Sequence, residues 1–171
     1  MSEVRLLSGV PNFKGNMVDH NNFHENLSRI QVGELKVAHL INSVFADVIV
    51  TDTLNDDCKY DIKAEVDGKP VTFEVKEDYK CADTGNVVVE YESRGKPSGI
   101  ATTEADFWIF RIHRGYKESD IHHFLIGTER LKRLIRENKY SRKYQMPHTD
   151  SKNKVYFFKY HDLIPTCYQI D

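Results

Sequence analysis

The stretch DIKAEVDGKPVTFEVK, from Asp61 to Lys76, decides the fold of this chain. Its two alternating runs flank Asp67-Gly68, a pair that accepts the positive φ angles of a tight hairpin turn. If Val66 pairs with Lys69 across that turn, each strand has one polar face and one largely apolar face. The sequence therefore predicts a half-buried β-hairpin. Its apolar face consists of Ile62, Ala64, Val66, Val71, Phe73 and Val75.

The polar face of the hairpin brings two acids together. In the same register Asp61 lies directly opposite Glu74, with Cβ atoms about 5 Å apart, and Lys76 is diagonal to Asp61. Facing carboxylates repel by about 1 kcal/mol in water and by more where water is excluded. A divalent cation would turn this repulsion into coordination, since Mg²⁺ takes one or two carboxylates plus water and phosphate oxygens. The alternatives are a solvated polar face, which half-exposed antiparallel strands normally have, and a surface Lys76 paired with Glu74.

A further acid falls on the apolar side of a helix. Residues 22–45 have the periodicity of an amphipathic helix, and Glu34 lies at the centre of its apolar stripe. A carboxylate facing the core is costly unless it is paired or bound to metal. Either a neighbouring Lys or Arg neutralises Glu34, or Glu34 helps the hairpin acids to hold a metal ion.

Length and composition predict one domain over residues 1–171, because 171 residues with 40% hydrophobic content can bury a core of their own. We divide it into an irregular lead-in (1–19), a catalytic core (20–112) and a C-terminal elaboration (113–171). The formal charge of −2 gives no global basicity of the kind that marks many nucleic-acid-binding proteins.

The cysteines and the apolar runs indicate the cellular compartment. The chain has three widely spaced cysteines and no CxxC motif, which favours a reducing compartment over a disulfide framework or a zinc site. No apolar run approaches 18 residues and the N-terminus lacks the order of a signal peptide, so we expect an intracellular, cytoplasmic protein without a membrane anchor.

Hydrophobic patterning along the rest of the chain predicts a mixed α/β protein. The turns and short helical segments are predicted at 83–86, at 102–105 with Thr102 as N-cap, and in the loop 93–99. The other predicted elements are a helix over 22–45, strands over 46–51, 61–66, 69–76, 87–92, 107–112, 122–126 and 155–160, and a helix over 128–138 capped by Thr128.

This order of elements resembles the PD-(D/E)XK nuclease superfamily, which includes restriction endonucleases, Holliday-junction resolvases and phage recombination exonucleases. The residues that carry the resemblance are Glu34 on the first helix, Asp61 on the first hairpin strand and Glu74–Lys76 on the second. Tyr60 stands where the name of the superfamily has proline. The loop GKPSG and the following TTEADFW are similar to segments of small phage-encoded nucleases.

The resemblance implies a restriction-endonuclease-like αβββαβ core, with a mixed central sheet flanked by helices and a C-terminal helix and strand extension. It implies a metal-dependent nuclease that hydrolyses DNA phosphodiester bonds. Asp61, Glu74 and the Val75 carbonyl would hold Mg²⁺ or Mn²⁺, and Glu34 would complete that site or support a second metal ion. Lys76 would orient or help to deprotonate the attacking water. The expected partner is duplex or branched DNA, a homodimer is compatible with cutting two strands, and a phage protein would act in the host cytoplasm.

Further candidates lie after the hairpin. Glu90 would reach the metal if the strand over 87–92 lies beside the Glu74 strand; the alternative is a solvated glutamate. Residues 130–143 contain seven basic residues and one acidic one, which suits either a DNA backbone or a solvated helix face. The loop residues expected to contact phosphates, if they do not merely form a generic loop, are Arg94, Lys96, Ser98 and Thr103.

Two other classes of function compete with a DNA nuclease. The first is a nucleic-acid-binding or partner-binding module that keeps the fold without turnover. The second is an RNA nuclease or phosphatase that uses the same carboxylates on another phosphate.

Overall fold

Two stacked β-sheets, one mixed and one antiparallel, dominate the computed structural model, which describes residues 29–45, 48–53, 59–115, 117–146 and 152–170. The helices are α1 (Arg29–Val44), α2 (Cys81–Thr84), α3 (Thr128–Arg136) and α4 (Tyr160–Leu163). The strands are β1 (Val48–Thr53), β2 (Ile62–Val66), β3 (Lys69–Asp78), β4 (Asn86–Ser93), β5 (Lys96–Pro97), β6 (Phe107–His113), β7 (Ile121–Gly127), β8 (Arg142–Gln145), β9 (Lys154–Lys159) and β10 (Tyr168–Gln169).

The central sheet has the strand order β1-β2-β3-β6-β7-β10. β3 and β6 run parallel, whereas the other neighbouring pairs of this sheet are antiparallel. The connection from β3 to β6 leaves the sheet through α2 and the β4–β5 hairpin, which belongs to the second sheet of order β5-β4-β9-β8. The predicted mixed α/β class with a mixed central sheet is confirmed.

The β2–β3 hairpin has the predicted register. Ile62 faces Phe73 and Val66 faces Lys69, and both turn residues, Asp67 and Gly68, have positive φ angles of 50° and 72°. The ladder ends at the pair Ile62–Phe73, and the Asp61 amide donates a hydrogen bond to the Phe73 carbonyl oxygen at 2.9 Å, so Asp61 lies one residue before β2 and is not paired with Glu74 in the ladder.

Helix α1 covers the apolar face of the hairpin. Its buried side chains Val37, Ala38 and Ile41 join one cluster with the hairpin and with Ile109 and Leu125 of the neighbouring strands. This packing leaves the polar side chains of β3 on the opposite face of the sheet.

Gly33 explains how closely α1 approaches the sheet. A Cβ atom at this position would collide with the carboxylate of Glu77, which pairs with the buried Arg111 at 2.6 Å and also with His113. A larger residue in place of Gly33 would have to displace this buried ion pair.

The second sheet, together with α3 and α4, covers the other face of the central sheet. Trp108, Phe110 and Ile112 of β6 pack there against Val87 and Phe158. Glu74 and Lys76 lie beside Trp108 and Phe110 in the β3–β6 register, so the acids of the hairpin are next to this second core.

Several predicted boundaries are wrong. Residues 83–86 are not a simple turn, because α2 runs to Thr84 and ends at Gly85, whose φ of 64° terminates the helix. The helical turn lies at Gly99–Ala101, with Thr102 as its C-cap, and not at 102–105. Gly127, not Thr128, is the N-cap of α3, and α3 ends at Arg136.

Other predicted segments differ in extent. The loop over 93–99 contains β5, and β8 was not predicted. The lead-in over 1–19 and the start of the predicted helix at 22 lie outside the described residues. Within the residues that are described, no helix is long and apolar enough to cross a membrane.

Candidate active site

The hairpin brings Asp61, Glu74 and Lys76 together, although Asp61 contacts β3 through its side chain and not through the predicted pairing with Glu74. Asp61 Oδ2 accepts a hydrogen bond from the Val75 amide at 2.7 Å. Lys76 Nζ lies 2.6 Å from Glu74 Oε1. Glu74 is buried, with 8% of its surface exposed, whereas the Lys76 side chain is 36% exposed and so reaches solvent at the edge of the site. Two carboxylates and one ammonium group therefore meet where the hairpin faces water.

Two residues outside the hairpin complete the surroundings of this pair. Thr103 Oγ1 is 3.2 Å from Glu74 Oε2 and 3.2 Å from the Lys59 carbonyl oxygen, so its single proton is available to either acceptor. Lys76 Nζ lies 5.6 Å from the centroid of the fully buried Trp108 ring. Thr103 is therefore placed to hold one oxygen of Glu74, and the Trp108 ring lies beside the lysine.

The charges of the site are strongly coupled. Burial, followed by repulsion from Glu74, raises the pKa of Asp61, against the opposing effects of Lys76 and of the Val75 amide. Burial alone would lower the pKa of Lys76, but attraction to Glu74, Asp61 and Glu90, together with its contact to Glu74, raises it overall. Without bound metal, the surroundings of Lys76 therefore favour its protonated form, and those of Asp61 disfavour its charged form.

Glu90 approaches the site from the second sheet. The condition under which it was expected to reach a metal is not met, because β3 has β2 and β6 as neighbours and β4 lies in the other sheet. Glu90 accepts a hydrogen bond from Ser98 Oγ at 2.6 Å and another from Asn153 Nδ2. Its charge still acts on Lys76 across the interface between the sheets.

The four acids do not form one cluster. Glu34 is buried, as its place on the apolar stripe predicts, but it lies on α1, which packs on the sheet face opposite Glu74. Throughout the described part of the chain, no three His, Cys, Asp or Glu side chains lie close enough to hold a metal ion together. The direct metal ligation expected of Glu34 and Glu90 stays a prediction.

The expected phosphate-binding residues have different surroundings. Arg94 and Lys96 are exposed on the β4–β5 hairpin. Ser98 is bonded to Glu90, and Thr103 is buried against Glu74. Arg94 and Lys96 are thus placed to meet a ligand, whereas the two hydroxyls already serve the acids.

Sequence reasoning missed Trp108 and Asn153. Alternation places Trp108 on a defined face of its strand, but the parallel pairing of β3 with β6 follows from a crossover of 28 residues that no local pattern specifies. Asn153 lies 63 residues from Glu90, and nothing in the local sequence indicates that it binds this acid.

The donor set fits a divalent cation of the Mg²⁺ type. Asp61 and Glu74 supply two carboxylates, and the Val75 carbonyl points to the same side as the Val75 amide that Asp61 binds. Mg²⁺ commonly takes one or two protein carboxylates and completes its octahedron with water and substrate phosphate. Burial first and repulsion from Glu74 second raise the pKa of Asp61, so the fold disfavours its charged form, and a bound cation would offset both effects.

Comparison with known proteins finds similarity among solved structures. No protein-family model matches the chain, and no curated protein matches it. Among solved structures the chain is similar to a bacterial homing endonuclease, I-Ssp6803I. The two chains share 19% identity with a TM-score of 0.42, over 60% of this chain and 70% of that one.

Proposed function

We propose that this protein is a divalent-metal-dependent nuclease that hydrolyses phosphodiester bonds in DNA at Asp61, Glu74 and Lys76. The observation that carries the proposal is the meeting of two carboxylates and a lysine on adjacent hairpin strands, with Glu74 buried and held by Thr103. A solvated polar face would have no reason to bury an acid, because burial of a carboxylate is costly unless another group compensates it.

Each residue has a distinct role in the proposed reaction. Asp61, Glu74 and the Val75 carbonyl would hold Mg²⁺ or Mn²⁺, which supplies Lewis-acid stabilisation of the phosphate and a water of lowered pKa. Lys76, a cation beside Glu74, would attract the scissile phosphate and orient the attacking water. Thr103 would hold the Glu74 carboxylate in one orientation.

The test is a cleavage assay on linear, circular, single-stranded and branched DNA, with Mg²⁺, with Mn²⁺ and with EDTA. We expect cleavage that needs the metal and that Glu74→Gln and Asp61→Asn lower by at least about a hundredfold. Glu65→Gln is the matched control, because Glu65 is an exposed acid on the polar face of the same hairpin. Glu65→Gln should cleave as the wild type does.

The outcomes separate the competing functions. Wild-type cleavage by Glu74→Gln would refute the site. Binding of DNA without cleavage of any of the four substrates would favour the binding module. Cleavage of an RNA of the same sequence in preference to DNA, abolished by Glu74→Gln, would assign the site to RNA.

Lys76 is tested by separating turnover from metal binding. We expect Lys76→Gln to lower the cleavage rate strongly while calorimetry shows Mg²⁺ binding that is retained or strengthened, since a cation beside the carboxylates has been removed. Lys69→Gln, an exposed lysine near the hairpin turn, is the control. Loss of metal binding in Lys76→Gln without loss of turnover would make Lys76 a structural residue.

A further inference from the structure

A cluster of tyrosines and cations lies on the second sheet and on α3; we refer to it as the tyrosine–cation surface. Tyr156 is its centre, with ring centroids 4.5 Å from Tyr91 and 4.9 Å from Tyr140. All three tyrosines are only partly buried. The residues of the tyrosine–cation surface are Tyr91, Lys132, Arg136, Tyr140, Lys143 and Tyr156.

The three cations converge on Tyr156 from two elements. Lys143 Nζ on β8 lies 5.4 Å from the centroid of the Tyr156 ring and 5.8 Å from that of Tyr140. Lys132 and Arg136, one turn apart on α3, line a groove of about 230 Å³ together with Tyr156. Their ion pairs, at 3.6 and 3.8 Å, are to Glu129, which is 78% exposed, and such surface pairs are weak. Both cations can therefore exchange Glu129 for another anion.

The three cations of this surface belong to the most basic segment of the chain. Of 24 Lys and Arg and 26 Asp and Glu, seven basic residues and one acidic residue fall within residues 130–143. This segment therefore carries a net charge of about +6, against about −8 for the rest of the chain. A local excess of positive charge on this scale attracts a polyanion to the segment.

One short segment connects the tyrosine–cation surface with the candidate active site. Ile100 and Ala101 line the groove beside Lys132 and Arg136. At the two ends of the same segment, Ser98 binds Glu90 and Thr103 is hydrogen-bonded to Glu74. A strand bound along the groove would therefore lie one short segment away from the acids.

We infer that the tyrosine–cation surface binds the phosphate backbone of the DNA whose cleavage is proposed above, and so holds the DNA beside the active site. The inference rests on the proposed nuclease function, because that function makes DNA the polyanion. The cations neutralise phosphates, and the partly exposed tyrosine rings form a rigid support for them. The competing explanation is that Arg142 and Lys143 only protect the exposed edge strand β8 from pairing with another chain.

The experiment measures binding without cleavage. A fluorescein-labelled DNA duplex is titrated with protein in EDTA at several salt concentrations, and anisotropy gives the affinity. The variant is Lys132→Gln/Arg136→Gln/Lys143→Gln. Its control is Lys69→Gln/Lys80→Gln/Lys159→Gln, which removes the same charge at three exposed lysines away from the surface. Circular dichroism and thermal melting check that both variants fold.

We expect the surface variant to bind at least about tenfold more weakly than its control. The slope of log affinity against log salt concentration (the salt slope) should be smaller in magnitude by about three. If the triple variant does not fold, Lys143→Gln alone should lower the slope by about one, since Lys143 lies on an edge strand whose four side chains are all exposed. Equal affinities and slopes in the surface variant and its control would overturn the inference. Stronger binding of an RNA duplex of the same sequence would overturn the assignment to DNA.

Failure of this inference is distinguishable from failure of the proposed function. If Glu74→Gln still cleaves DNA while the surface variant loses binding, the active site is wrong and the surface stands. If the surface variant binds normally while Glu74→Gln loses cleavage, the surface is wrong and the active site stands.

Discussion

The fold disfavours the charged form of Asp61. Burial and the neighbouring Glu74 raise its pKa above the ordinary value of 3.8. For an acid whose pKa is higher in the folded state than in the unfolded state, stability is greatest below the unfolded value and falls as the pH rises through the folded value. At neutral pH the carboxyl group of Asp61 therefore makes the metal-free protein less stable than an uncharged side chain of the same shape would.

Asp61→Asn should accordingly stabilise the protein in EDTA at pH 7. The amide has no charge to bury, and its oxygen can still accept the hydrogen bond from the Val75 amide. Denaturant unfolding should give a higher midpoint for the variant at pH 7, and the gain should disappear as the pH falls below the ordinary pKa of Asp61. A variant that is less stable at pH 7 would contradict the unfavourable charge. The control is Glu65→Gln, at an exposed acid of the same hairpin, and it should leave the denaturation midpoint nearly unchanged.

Two of the cysteines should be chemically inert. Burial raises the pKa of the Cys81 thiol to about 12, and burial likewise raises that of Cys167 to about 11. At pH 8 only about one Cys81 thiol in ten thousand would be ionised, and the thiolate is the reactive form. In a Cys58→Ser background, we expect a thiol reagent to label the native protein far more slowly than the urea-unfolded protein. Labelling at the same rate in both states would contradict the burial of these thiols.

The residues of the hairpin could be predicted, but the partners of its acids could not. Turn chemistry and strict alternation predict the register from Ile62–Phe73 to Val66–Lys69, because a slip of one residue would expose the apolar face. The contacts of Glu74 with Thr103 and of Glu90 with Asn153 join residues 29 and 63 positions apart. Such contacts depend on how the two sheets stack, which no local pattern encodes.

At the scale of elements, the turn at Ser98–Ala101 packs closely against β4 and leads to Thr103 at the candidate active site. Gly99 has a φ of 52°, and a Cβ atom there would lie 2.5 Å from the Glu90 carbonyl oxygen. Gly99→Ala should therefore destabilise the protein in two ways, through the left-handed backbone and through the close approach to β4.

Gly95→Ala is the matched control for this prediction. Gly95 also has a positive φ, 75°, but a Cβ atom there would meet nothing within 4 Å. We expect Gly95→Ala to lower the free energy of unfolding by about 1–2 kcal/mol. Gly99→Ala should lower it by roughly 1–3 kcal/mol more, since overpacking adds to the backbone cost. Equal losses in urea unfolding would show that the turn has room to relax.

The elements that were predicted best are rich in buried apolar residues, and those that were missed are not. β6 and β7 carry nearly continuous buried side chains, and β9 retains its apolar alternation. β8 is an exposed edge strand of sequence RKYQ, so its residues lack the apolar alternation that burial of one face imposes on a strand. Thr128 resembles an N-cap, yet it lies inside α3 with its side chain buried, because Gly127 already ends β7 in extended geometry.

At the scale of the whole molecule, the central sheet separates the face covered by α1 from the face that carries the candidate active site. α1 covers the face on which Glu77 and Arg111 form a buried ion pair. The second sheet covers the other face and contributes Glu90 and the tyrosine–cation surface. The acids of the hairpin lie at the edge of that second interface, so the sheet that was least predictable from the sequence is the one that would guide DNA to the site.

Binding of a metal ion should stabilise the whole fold, because the cation binds the native arrangement of Asp61 and Glu74 and not the unfolded chain. At a concentration one hundred times its dissociation constant, a ligand of the native state adds about 2.7 kcal/mol to the free energy of unfolding. Thermal melting of the wild type should therefore shift upward with Mg²⁺ and return on addition of EDTA. Glu74→Gln and Asp61→Asn should lose the shift, whereas Glu65→Gln should keep it. Glu34→Gln tests whether Glu34 also binds the metal ion. A reduced shift in melting temperature would make Glu34 part of the metal site, and an unchanged shift would restrict the site to the hairpin.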